Sequence, residues 1–173
     1  MMKTLITYSS KTGNTKKLAE GIYKYINKND QLDLDIKPID EVENIENYEA
    51  ILIGYWVDKG GPNKEAALFM EKISNKKVGI FATLGAYPDS KHAFESLVAG
   101  ENLLKENNEV IGKYICQGAI SPQLIEHFKT LSADSHHSLS EEKLRRYKIA
   151  ELHPNDAEMQ SAAILFEERL TMV

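Results

Sequence analysis

Three short apolar runs, residues 3–8, 50–55 and 77–82, each lead through a loop of small or hydroxyl residues into a segment with helical periodicity. Runs this poor in polar alternation are strands buried on both faces, and such strands belong to a parallel sheet covered by helices. Residues 33–38 alternate and read as an edge strand, and 112–116 supply a fifth. Helices are predicted over 14–27, with Leu18, Ile22, Tyr25 and Ile26 on one face, over 63–73 and over 92–107. Strands joined by helical crossovers make an α/β, doubly wound sandwich, and the predicted strand order is 2-1-3-4-5. Ligands of such folds bind at the carboxyl ends of the strands, where three loops converge: 9–15, 55–62 and 83–90.

The remainder is less regular. Residues 121–131 are predicted helical behind a Ser121-Pro122 start, 132–138 form a loop, and 140–151 are a second helix opened by Ser140. His153-Pro154-Asn155 breaks the chain before a final amphipathic helix over 156–172, with Met159, Ala162, Ala163, Phe166 and Leu170 on one side. That helix is expected to pack on the sheet beside strands one and two. The whole chain, 1–173, then forms a single domain, with 121–155 as a helical insertion or lid before the C-terminal helix.

The first loop carries the most chemistry. Ser9, Ser10, Lys11, Thr12, Gly13, Asn14 and Thr15 join a strand to a helix N-terminus, where unpaired backbone N–H groups and the helix dipole attract an anion. An ATP or GTP loop needs a lysine after its second glycine, and here Lys11 precedes the only glycine. A dinucleotide loop needs three glycines at this junction. A hydroxyl-rich loop with a single glycine suits one terminal phosphate. Ile6, Tyr8, Ser10, Gly13, Thr15, Ala19 and Ile22 fill the places of the phosphate-loop signature of flavodoxins, and the chain resembles that family. Thr7 departs from the signature, but it lies in the strand rather than the loop.

The resemblance implies a flavodoxin-like fold with FMN as cofactor. Trp56, the sole tryptophan, follows a buried strand beside Gly60-Gly61-Pro62 and is a candidate stacking platform for the ring, the alternative being a core tryptophan. Tyr55 is the substitute, and Val57 and Asp58 are further cofactor-binding candidates of the same loop. In the family a glycine peptide of this loop flips on reduction, so that its carbonyl accepts a bond from flavin N5–H. Gly60 is the matching candidate, a plain turn being the alternative. From the third loop, Tyr87 is placed on the other ring face, and the backbone of Thr83, Leu84 and Gly85 is placed at the pyrimidine edge. Fewer acidic residues surround Tyr87 than the family usually has.

A net charge of −5 with balanced signs argues against a nucleic-acid surface, and no apolar run is long enough for a membrane span. The start of the chain is strand-like rather than a signal peptide, and the single cysteine, Cys116, fits a reducing cytoplasm. Cys116 reads as a buried thiol, His136-His137 as a solvated loop and His92 as a surface residue. The resemblance implies an electron-transfer flavoprotein that meets redox partner proteins, a reductase or an acceptor, as a monomer or weak homodimer. Two alternatives stay open: an FMN-dependent NAD(P)H quinone or small-molecule reductase, and a flavin-free binding module on the same fold.

Overall fold

The computed structural model describes residues 1–172. Its elements in chain order are β1 (Met2–Tyr8), α1 (Asn14–Ile26), β2 (Leu32–Pro38), β3 (Ala50–Asp58), β4 (Gly61–Pro62), α2 (Lys64–Met70), β5 (Lys77–Leu84), α3 (Lys91–Leu104), β6 (Glu109–Gln117), α4 (Pro122–Lys129), α5 (Glu141–Ala150) and α6 (Asp156–Thr171). A short 3₁₀ turn, Ile39–Glu41, follows β2. The sheet runs β2-β1-β3-β5-β6 with all neighbours parallel, which is the expected order once β4 is set aside. The added detail is β4 itself, two residues that pair antiparallel with the end of β3.

Side-chain alternation divides the core. Ile6, Leu52 and Phe81 point to the layer of α1 and α6, where they meet Leu18, Ile22 and Phe166. Leu5, Ile51, Ile53, Tyr55 and Ile80 point to the opposite layer, with Met70 of α2 and Leu104 of α3. Each central strand therefore buries both faces, as its continuous apolar run requires. Burying side chains such as these contributes roughly 1.5–3 kcal/mol apiece.

One placement differs from expectation. The final helix does not lie beside strands one and two. Phe166 sits against Gly79 of β5, and Leu165, Phe166 and Arg169 sit against Gly112 of β6, so α6 covers that half of the sheet and packs beside α1. The reason is space, because α1 already covers β1 and β2. The helix predicted over 63–73 also stops early, at Met70. In the 121–155 segment, α4 buries none of its residues, whereas α5 anchors through Tyr147 and Ala150. Phe128 of α4 reaches Tyr147, and the His137 ring stacks on Phe128 with centroids 5.5 Å apart.

Candidate functional site

The loop after β1 opens directly into α1, with Gly13 as N-cap at φ +97°. Such a backbone is cheap only for glycine. A β-carbon built there would meet nothing within 4 Å, so the space above Gly13 is open. Ser9 N–H donates to the Gly54 carbonyl (3.0 Å), which ties the loop to β3, and Lys16 N–H donates to Ser10 Oγ (3.2 Å). Among the described residues, the backbone N–H groups of positions 10–15 have no protein acceptor. A row of free donors at a helix N-terminus, bent around an open glycine, is complementary to a phosphate dianion. The residues present therefore fit the phosphate of FMN.

Hydroxyls and amides around this cradle divide into two groups. Thr15 is buried and its Oγ1 lies 2.9 Å from Thr83 Oγ1, a bond that joins the start of α1 to the end of β5. Asn14 Nδ2 donates to the Ala119 carbonyl (2.8 Å), and Thr12 stays exposed. Ser9 corrects its assignment as a phosphate donor. Its side chain shares the face of Leu5 and Thr7, where its hydroxyl donates to Glu65 and accepts from Asn63 Nδ2 (2.8 Å). The period of two in β1 sends it toward α2 rather than toward the mouth of α1.

The same alternation separates Tyr55 from Trp56. Tyr55 is fully buried and donates to the Ser96 carbonyl (2.8 Å), and burial pushes its phenol well above the ordinary range. It is a core residue under α3, not a ring contact. Trp56 is half-buried at the end of β3, paired in register with Thr83, and its ring carries the Lys11 ammonium 5.2 Å from the centroid. The first and second loops therefore touch through one side-chain pair.

The second loop is a hairpin rather than an open turn. β3 continues through Val57 and Asp58, and β4 returns after Lys59 (φ 50°) and Gly60 (φ 83°). Two central residues at positive φ make a type I′ turn, which matches the twist of the strands it joins. Gly60 faces the His92 ring at the start of α3, and Gly61 packs on Ala99. Sequence reasoning left His92 on the surface; it is exposed, yet it borders the hairpin tip.

In the third loop, Thr83 and Leu84 belong to β5, so the expected free backbone there is corrected. Thr83 pairs with Trp56 and Cys116, and the Leu84 carbonyl accepts from Gly118 N–H (2.9 Å). The open loop begins at Gly85, against which the Ile120 side chain packs, and Tyr87 stands 38% exposed before Ser90 caps α3. Cys116 is buried and desolvation raises its thiol far above the usual range, which leaves it unreactive. Residues that sequence reasoning missed are Asn63 and Glu65, which hold Ser9, and the Gly118–Ile120 segment, which carries the acceptor for Asn14 and the side chain on Gly85. Only the position of that segment, directly after a strand end, signalled it.

Comparison with known proteins follows the same outline. The flavodoxin domain pattern matches residues 5–167. The chain is similar to BilS, a flavodoxin-like domain-containing protein of Clostridioides difficile strain CD3, at 36% identity over 170 residues, covering 94% of this chain and 93% of that protein. BilS of Clostridium symbiosum strain WAL-14163 is 25% identical, over 91% of this chain and 90% of its own length. Among solved structures, oxidised flavodoxin 2 from Bacillus cereus aligns with a TM-score of 0.61 at 19% identity, covering 96% of this chain and 99% of that one. Fusobacterium nucleatum flavodoxin, solved bound to flavin mononucleotide, aligns at 0.55 and 14% identity, covering 97% and 98%. The structural likenesses speak for the fold.

Proposed function

The chain belongs to the flavodoxin family, and from that premise we propose that it binds FMN and carries electrons between redox partner proteins. The observation that supports this most is the row of unpartnered N–H groups at positions 10–15 around the open Gly13. These groups would hold the phosphate, with Ser10, Thr12 and Thr15 as hydroxyl donors and the α1 dipole adding attraction. Trp56 and Tyr87 would bracket the ring, exclude water from its faces and leave its edge to partners. When bound, FMN supplies one- and two-electron chemistry that no side chain offers. The protein contributes position and electrostatics. The lone buried thiol, Cys116, is in keeping with a reducing compartment such as the cytoplasm.

A second reading, an FMN-dependent NAD(P)H quinone or small-molecule reductase, draws support from one feature. The 121–155 segment is rooted at the crevice, through Ala119 on Asn14 and Ile120 on Gly85, where it could wall a substrate pocket. Mixing the FMN-loaded protein anaerobically with NADPH or NADH alone separates the two. A carrier keeps its oxidised spectrum until a reductase is added, whereas rapid bleaching by the nicotinamide itself favours the enzyme. Protein that takes up no FMN leaves the flavin-free module.

A further inference from the structure

Lys11 occupies the exposed tip of the phosphate loop, yet its ammonium lies over the Trp56 ring at 5.2 Å rather than in open solvent. The negative face of an indole attracts a cation, so the contact holds the charge at one place. Among the described residues no carboxylate forms an ion pair with Lys11, whereas Lys16, one turn further on, pairs with Glu20 at 3.8 Å. Charges on the other two loops offset one another in sign: Asp58 adjoins Lys59 in the hairpin, and Asp89 precedes Lys91 at the start of α3. His92, next to Gly60, adds a titratable group on that side. Among the described residues, Lys11 is thus a cation held at the proposed ring platform with no ion-pair partner.

We propose that Lys11 sets the charge over this platform and draws the reduction equilibrium of the bound flavin toward the reduced state. The proposal rests on the FMN reading above. Uptake of two electrons and one proton leaves the ring with one added negative charge, and an ammonium held on the platform stabilises that charge. Lys11 acts here through electrostatics, as a positioning residue, and takes no part in proton or electron transfer.

The test compares wild type with Lys11→Gln, Lys11→Arg and Lys16→Gln. FMN binding is measured first, by quenching of flavin emission. Each loaded protein is then titrated anaerobically with dithionite against redox dyes, the dithionite supplying electrons and water the proton. Lys11→Gln should lower the equilibrium constant for full reduction about tenfold at low ionic strength, and by less at about 0.5 M salt, where the Debye length is short. Lys11→Arg keeps the cation and its stacking on the indole, and should match wild type. Lys16→Gln should do so as well. In the unbound protein, Lys11→Gln should also shift the emission of Trp56, the sole tryptophan. A reduction equilibrium unchanged in Lys11→Gln overturns the proposal while leaving the FMN reading intact. Loss of FMN binding in that variant alone makes the lysine a binding residue and overturns it too. Wild-type protein that takes up no FMN refutes the function itself.

Discussion

The Thr15–Thr83 bond offers a quantitative probe of how the fold supports the site. Both hydroxyls are buried, at 1% and 3% exposure, and they lie 2.9 Å apart between the first turn of α1 and the end of β5. A hydroxyl has one proton to give. If Thr83 donates to Thr15, the Thr15 proton is free for a phosphate oxygen. Thr15→Val removes one partner and leaves the Thr83 hydroxyl buried without a bond, which costs about 1–2 kcal/mol of stability. Thr83→Val does the same to Thr15. The double variant removes both polar groups and should recover most of the loss, so the coupling energy approaches the sum of the two single-variant penalties.

Urea unfolding followed by far-UV circular dichroism reads this as a midpoint shift of roughly 0.5–1 M for each single variant. FMN affinity separates the two residues. Thr15→Val and the double variant each lose a phosphate donor and should bind about 5–30-fold more weakly. Thr83→Val retains the donor and should stay within about threefold. Additive stability losses would refute the bond between the hydroxyls. Full FMN affinity in the double variant would refute Thr15 as a phosphate ligand.

Three further outcomes are expected. Trp56→Leu removes the ring platform, should weaken FMN about 2–12-fold, and should restore flavin emission in the bound fraction; undisturbed quenching would show that another side chain stacks. Asn155→Ala breaks the capping box of α6, in which Asn155 Oδ1 accepts from Glu158 N–H (3.0 Å) and Glu158 accepts from Asn155 N–H (2.8 Å). That should cost about 1 kcal/mol and lower Tm by roughly 2–4 °C in a calorimeter, with FMN affinity unchanged. Tyr48 is pushed up to about 12 by burial and by its hydrogen bond to Asp35 (2.7 Å), with the charges of Asp35 and Asp33 adding to the shift. A raised phenol favours the neutral form in the fold, so its stabilisation is complete below the ordinary value of about 10 and is lost as pH rises from there through about 12. Urea midpoints should decline over that window, and Tyr48→Phe should flatten the decline.

Strand order and helix order were legible because the chain states them twice, once in apolar runs and once in the loops between. The strand ends were not. Val57 and Asp58 sit where a loop was expected, because the Lys59-Gly60 turn folds β4 back onto β3 and extends the pairing. Ser9 and Tyr55 were misassigned for one shared reason. A loop composition identifies which residues are near a ligand, but the period of two decides which side of the sheet each side chain takes. Counting from the buried Leu5 assigns Ser9 to the α2 side, and counting from Ile51 assigns Tyr55 to the same side, leaving Trp56 on the side of α1. The position of α6 was beyond such counting, since it follows from which half of the sheet α1 leaves open. The Lys11–Trp56 contact was equally hidden, because it joins residues 11 and 56 from separate loops.

The central claim is that the donors at positions 10–15 recognise a phosphate, and the comparison of FMN with riboflavin tests it most directly. The two ligands share the ring and differ by that group. With several charge-assisted bonds at about 1.5–3 kcal/mol each, calorimetric titration should find FMN bound at least about a hundredfold more tightly. Equal affinities for the two flavins, or no binding of either, would contradict the account.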